Sequence, residues 1–289
     1  MEVSVAPIRS ILTRSTGFLK TVTSHSAQPY RGCAFGNALC GVGCYVQHNH
    51  YLTRGRTWGA FLDVRENAAE SYVKNAERER RWARRSRGSF GVFMSSSTEP
   101  FPPQEDRYRV TQGLLEAMLE SPPDVLIAQT HTHRAAACLD LFRALAAACD
   151  LRVHISIETD RERVPGLPPH ASRVAQRFEA ARALKAAGVF TVITVSPLLP
   201  IRDPDAFFAR AAASAHAVVL DHFVGGDGSA QGARTRNTPL PAAMAALDPE
   251  SVSPRYRDRM VAVAKRHLTR VGVHIDGFAG RYLSDDLPP

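Results

Sequence analysis

The 289-residue chain has no apolar run approaching the roughly 20 residues a membrane-spanning helix needs, so no membrane partner is expected. Cysteine is scarce and odd in number: there are five. The opening MEVSVAPIRS lacks the apolar stretch of a secretory signal. A secreted disulfide framework is therefore disfavoured, and a reducing, cytoplasmic setting is the expectation. No internal repeat or long low-complexity segment is visible. No GxGxxG or Walker-type glycine-lysine motif follows a β-rich run, which removes support from the nucleotide-binding α/β folds. No Ser/His/Asp order and no lysine at a strand end speaks for hydrolytic or aldol chemistry.

What is present is an ordinary globular composition, 44% hydrophobic and 22% charged, enough for one large domain or two small ones. The net charge of +8 is uneven. Residues 74–87 hold Lys74, Arg78, Arg80, Arg81, Arg84, Arg85 and Arg87 against only Glu77 and Glu79. Such a patch is either a solvated helix face or a surface for nucleic acid.

Short Val- and Ile-rich runs at 90–94, 124–129, 151–157, 189–195 and 217–221 read as buried parallel strands, with a further strand near 19–24. Between them, 66–85, 108–120, 135–148, 171–187 and 204–213 carry apolar spacing near 3.6. Repeated strand–helix alternation implies a parallel sheet with helices outside. Eight units typically need ~250 residues, so the expectation is α/β, a partial (βα)6 TIM-type barrel over residues 1–223. Residues 224–289 begin as a Gly-, Ser- and Pro-rich loop, with one more helix at 253–271, and read as an extension closing the barrel.

Three cysteines, Cys33, Cys40 and Cys44, lie on a glycine-rich stretch after the first expected strand. Thiolates suit zinc or iron–sulfur clusters. Three protein ligands leave one coordination position open, as a catalytic centre needs. His48 and His50 follow closely, with packed or solvated histidine as the default reading, and Cys138 reads as a small buried apolar residue in an alanine-rich helix.

Pro29-Tyr30-Arg31-Gly32-Cys33, Cys44-Tyr45-Val46, Thr98-Glu99-Pro100-Phe101-Pro102-Pro103-Gln104-Glu105 and Ser196-Pro197-Leu198-Leu199-Pro200 resemble the radical S-adenosylmethionine superfamily, and within it the spore photoproduct lyase branch. The likeness runs from about Ile11 to Asp221. It implies a [4Fe–4S] cluster on Cys33, Cys40 and Cys44 and S-adenosylmethionine on its open iron. It further implies reductive cleavage to a 5′-deoxyadenosyl radical that abstracts hydrogen, with a reductant such as flavodoxin or ferredoxin. The usual CxxxCxxC spacing is replaced by gaps of six and three residues, which a looped-out 36–39 would accommodate. The resemblance places Glu99 at the cofactor's amino group, with Ser97 and Thr98 nearby. It adds Tyr45, Thr130, Ser156, Glu158 and Ser196 to the cofactor shell. His131 stands where related sequences carry lysine. The arginines of 78–87 make nucleic acid a reasonable substrate class, and Asp221-His222-Phe223 ends the last strand, facing the barrel mouth. The alternative is a non-catalytic zinc and nucleic-acid-binding module.

Overall fold

The computed structural model describes residues 1–283, so residues 284–289 of the expected tail lie outside the described residues. Eleven strands form two sheets: β1 (Glu2–Val5), β2 (Leu12–Arg14), β3 (His25–Ala27), β4 (Tyr30–Gly32), β5 (Phe61–Val64), β6 (Gly91–Met94), β7 (Val125–Thr130), β8 (Asp150–Ser156), β9 (Thr191–Val195), β10 (Ala217–Leu220) and β11 (Val271–Val273). The main sheet runs β11-β10-β9-β8-β7-β6-β3-β2, parallel throughout except for the antiparallel edge strand β2. A small sheet, β1-β5-β4, stands beside it. Helices cover the outside: α1 (Ala68–Arg87), α2 (Val110–Glu120), α3 (Leu139–Ala148), α4 (Val174–Ala186), α5 (Pro204–Ser214), α6 (Leu240–Leu247), α7 (Pro254–Lys265) and α8 (His274–Phe278). Among the described residues, no helix is long and apolar enough to cross a membrane.

This is the parallel-strand α/β architecture expected from the alternation. Two of the expected elements differ, and β1, β2, β4 and β5 are additional to them. The strand expected near 19–24 lies at β3, because residues 17–21 wind into a 3-10 turn. The helix expected over 253–271 stops at Lys265, and Val271–Val273 adds a seventh parallel strand beside β10. Three residues are too few for a period to show, and Leu268 and Val271 continue the helical spacing into the strand.

Strand alternation sorts the apolar side chains into two layers. Val92, Leu126, Val153, Ile155, Ile193 and Val218 pack under the helices, while Phe93, Ile127, Val192, Ala217 and Val219 point inward. Seven strands do not close a barrel as eight do. Here α8 contributes to the filling: Phe278 enters the inner layer, with ring centroids 6.4 Å from Phe93, 6.2 Å from Phe18 and 5.9 Å from His154. The Arg152 guanidinium anchors the end of this segment by donating to the Ala279 carbonyl at 2.9 Å.

His154 points into this apolar layer from β8. It is fully buried, and neither ring nitrogen has a hydrogen-bond partner. Burial, aided by Arg152, pushes its pKa down to about 3, so the folded protein holds the ring neutral. The unfolded chain takes up this proton below about pH 6.5, whereas the folded chain does not. His154 therefore leaves stability intact above pH 6.5 and removes it as the pH falls toward 3, at about 1.4 kcal/mol per pH unit. His154→Leu should abolish this loss. In urea unfolding, the stability of the variant relative to wild type should rise by about 2 kcal/mol between pH 7 and pH 5. A constant difference would show that His154 is not held neutral.

Candidate functional site

The C-terminal ends of the parallel strands form the mouth, where sites of such barrels lie. The cysteine loop enters from the small sheet. Strand β4 leads straight into Cys33, whose N–H donates to the Phe61 carbonyl of β5 at 3.0 Å. Residues 34–38 then swing outward against residues 57–60. Gly36 and Gly59 meet backbone to backbone: a Cβ on Gly59, which sits at φ +83°, would lie 2.2 Å from the Gly36 Cα. The chain returns with Gly41 folded so closely under Phe35 that a Cβ there would lie 1.8 Å from the Phe35 carbonyl oxygen. This excursion takes up the six residues between Cys33 and Cys40, and Cys44 follows at the end of a short helical turn, Leu39–Val42.

The three thiols lie near enough to influence one another. Burial is the main cause that pushes the Cys33 thiol up to about 12 and Cys44 up to about 11. Cys40 is also raised, by burial and then by Cys33, Glu158, Cys44 and Glu99. The cysteine loop therefore faces both predicted carboxylates. Buried thiols of this kind stay protonated unless an electropositive group takes the proton's place. The Trp58 indole N–H is buried near Cys44, where it acts to lower the thiol's pKa against burial, and the His48 Nε2 is buried without a hydrogen-bond partner. An indole donor near a cysteine sulfur suits a metal-bound thiolate, which accepts hydrogen bonds that a thiol accepts poorly. Among the described residues, no three His, Cys, Asp or Glu side chains converge on a single point as one metal ion requires. A cubane cluster binds each thiolate at a different iron and does not demand such convergence. The residues present fit a cluster better than a lone ion.

Glu99, at the end of the turn after β6, is buried. Its Oε1 accepts from the Phe101 N–H at 2.9 Å and the Thr130 hydroxyl at 2.5 Å, and its Oε2 accepts from the His131 N–H at 2.8 Å. Burial still raises its pKa, against the effects of His131 and Thr130. Thr130 thus supports Glu99 rather than facing the mouth. The Thr98 hydroxyl is similarly used, donating to Gln28 Oε1 at 2.9 Å and the Tyr30 carbonyl at 3.1 Å. Ser97 is half-buried beside it.

Glu158 lies just beyond β8 and is also buried. Its Oε2 accepts from Arg177 Nη1 of α4 at 2.7 Å, and its Oε1 lies 2.9 Å from His131 Nδ1. His170 stands 3.8 Å away. Burial alone would raise this carboxyl, but Arg177, with His131 and His170, outweighs it and holds Glu158 well below the usual carboxylate range. Ser156 is one layer deeper, in an inward chain from Gln129 Nε2 (3.3 Å) to Ser156 Oγ and on to Thr194 Oγ1 (2.9 Å). Ser196 donates to Asp221 Oδ2 at 3.1 Å, and His274 Nδ1 contacts the other carboxylate oxygen at 2.5 Å. Burial, then Cys44, Asp221 and Asp227, raises the phenol pKa of Tyr45. Its neighbour Asp221 belongs to this mouth, whereas the His222 ring turns away to the Ser251 carbonyl at 2.9 Å.

Arg177 was not expected. It shares the buried face of α4 with Val174, Phe178 and Ala181, and that arginine within an apolar stripe is the signal that could have revealed it. His131 and His170 come from loops, where no periodicity marks them. Cys138 is buried outside this group, as expected for a small apolar residue. The arginines of 78–87 lie elsewhere. Arg84 pairs with Asp124 at 2.7 Å and Arg80 donates to the Ser121 hydroxyl and the Pro122 carbonyl. These partners precede β7, at the N-terminal ends of the strands, opposite the mouth.

No protein-family model matches the chain, and no curated protein matches it by sequence. Solved structures do. Spore photoproduct lyase complexed with dinucleoside spore photoproduct aligns with a TM-score of 0.64 at 14% identity, covering 94% of this chain and 81% of that one. A variant of that lyase with bound AdoMet and the same dinucleoside aligns with a TM-score of 0.62 at 14% identity, covering 94% and 80%. The chain has the fold of spore photoproduct lyase. The branch that the sequence motifs resemble and the branch whose architecture the chain shares are the same, and the match extends into the tail beyond Asp221.

Arg177→Leu should leave Glu158 buried without its strongest partner, lowering unfolding stability by about 3–5 kcal/mol. The double variant Glu158→Leu/Arg177→Leu should recover most of this loss in urea unfolding. Equal losses in the single and double variants would show that the pair is not coupled.

Proposed function

We propose that this protein is a radical S-adenosylmethionine enzyme, related in function as well as fold to spore photoproduct lyase. The observation that carries the reading is the meeting of a three-cysteine loop with Glu99 and Glu158 at the strand ends of this fold. Cys33, Cys40 and Cys44 would hold a [4Fe–4S] cluster, and S-adenosylmethionine would occupy the mouth between that loop and the two carboxylates. Together these groups supply, on one-electron reduction, a 5′-deoxyadenosyl radical for hydrogen abstraction. The chain's own residues bind and orient. Glu99 offers its Oε2 to the cofactor's ammonium, a charge-assisted partner. Thr98 and Thr130 position the turn that carries Glu99, Ser97 lines its rim, and Ser156 underlies the mouth. His131, held at its Nδ1 by Glu158, stands where related sequences carry lysine, and Arg177 keeps Glu158 ionised beside it. Ser196 and Tyr45 complete the shell on the Asp221 side. A reductant such as flavodoxin or ferredoxin would provide the electron.

Among the described residues, no converged ligand set supports the zinc-module alternative. A nucleic-acid substrate is supported by the dinucleoside bound in the structural neighbour. The arginines of 78–87 add no support, since they face away from the mouth.

Anaerobically reconstituted, dithionite-reduced protein should bind iron and sulfide and form 5′-deoxyadenosine from S-adenosylmethionine. Cys33→Ala, Cys40→Ala and Cys44→Ala should each abolish both. Full product formation by Cys40→Ala would refute the ligand assignment, and zinc in place of iron would return the zinc module to first place.

A further inference from the structure

The cysteine loop has two sides, and they differ. On one side it is covered: Leu39 packs with Leu240 and Met244 of α6, with Val164 and Leu199 in the same apolar cluster, and Gly43 lies against Leu240. On the other side, residues 34–38 and 57–60 enclose an open pocket of about 540 Å³ with Phe35 and Trp58 in its wall. Trp58 connects the two, since it lines the pocket while its indole N–H lies against Cys44.

The small sheet next to this pocket is basic. The Asp63 carboxylate is buried between Arg31, Arg56 and the Ser4 hydroxyl, with Arg31 Nε at 2.7 Å and Arg56 Nη2 at 2.6 Å. Burial would raise Asp63, but Arg56, Ser4 and Arg31 outweigh it and keep it ionised. The Arg56 guanidinium lies 3.7 Å over the Phe61 ring, and Phe61 packs edge-on to Trp58. Arg65 donates to the Gln28 carbonyl at 2.8 Å, and burial, then Arg31 and the exposed Arg54, lower its pKa, so these charges share one field. Arg31 and Arg56 thus share the single buried carboxylate of Asp63, with Glu2 near enough to act on Arg56, and the exposed Arg54 stands beside this pair. Tyr51, 91% exposed, stands one turn from Arg54.

We infer that this basic rim and the pocket beside Trp58 are the docking surface for the electron donor, a small acidic one-electron carrier protein. The inference rests on the radical-enzyme reading above. Charge complementarity selects an acidic partner and steers its approach. The aromatic wall gives it an apolar centre within a charged rim, as protein interfaces prefer. The open side of the cysteine loop lets it come close without passing through the mouth. In the transfer, the carrier is oxidised by one electron and the protein's cluster is reduced by one, with no bond made or broken.

The test follows cluster reduction in the reconstituted holoprotein by anaerobic stopped-flow absorbance, with reduced flavodoxin as the probe and dithionite as the comparison. For wild type, the flavodoxin rate should fall as salt is raised. Arg54→Glu, whose side chain is exposed, and Arg54→Glu/Arg56→Gln should lower the low-salt rate about tenfold or more, while dithionite reduces both at the wild-type rate. Arg81→Glu, on the remote face of α1, should change neither. An unchanged flavodoxin rate in both rim variants, or an equal loss in Arg81→Glu, would overturn the docking surface. A wild-type protein with no dithionite-reducible cluster would instead overturn the functional reading, and this surface's role with it.

Discussion

Glu158 is a carboxylate buried at the end of a parallel strand, and Arg177 is what allows it to stay ionised there. An isolated buried carboxylate would take up a proton. The pairing fixes α4, because Arg177 must reach Glu158 and the Ser156 carbonyl beside it. It also fixes the loop between β8 and α4, since His170 contacts both Arg177 and the Arg161 carbonyl. That loop in turn holds the cysteine loop: the Leu39 N–H donates to the Pro169 carbonyl at 2.9 Å. Leu39 then packs under α6. One charge pair is therefore linked by four contacts to the thiols and to the tail. Loosening it would disturb the site even where no residue of the site is altered.

The tail follows from a second constraint. A parallel sheet of seven strands leaves its inward face incompletely covered, and apolar side chains there need a partner. β11 extends the sheet and α8 turns back to place Phe278 among the inward residues, while α6 lies over the cysteine loop. The same segment thus fills the inside and roofs the mouth. His154 shows the tension in this packing: a polar ring sits in an apolar layer, stacked on Phe278 without a hydrogen bond. Such a group costs stability wherever it has no partner.

The sequence showed β6 to β10 because each is a short Val- and Ile-rich run between helical patterns. β3, without Val or Ile, was expected a few residues early, and β2 and β11 escaped because three residues carry no period. The small sheet β1-β5-β4 escaped because its strands are short, and one of them, β4, coincides with the Pro-Tyr-Arg-Gly motif that drew attention for other reasons. At the site, residue types were legible and partners were not. Glu99 and Glu158 stood out as carboxylates following strands. Nothing in the spacing could show that Thr98 and Thr130 turn their hydroxyls toward the protein, or that Arg177 reaches Glu158 from the next helix. Hydrogen bonds between residues 19, 31 or 70 positions apart are set by packing, which periodicity does not encode.

Arginine makes the same point about charge. The dense run of 78–87 attracted a functional reading because its charges are adjacent in sequence. In the fold, Arg78 and Arg14 pair with Glu79, Arg80 bonds Glu77 and the 121–122 turn, and Arg84 bonds Asp124. Much of the run is occupied in holding α1 to the sheet, and its C-terminal end lies by the wrong ends of the strands. The cluster near Asp63 joins Arg54, Arg56 and Arg65, which fall within residues 54–65, to Arg31 of β4, and only the fold shows that Arg31 and Arg56 share the buried Asp63. Yet it borders the cysteine loop directly, through β4 and the Phe61 carbonyl that receives the Cys33 N–H. A charge field acts through distance in space, screened within about 10 Å at moderate salt. The dispersed arginines are thus better placed to influence the site than the contiguous ones.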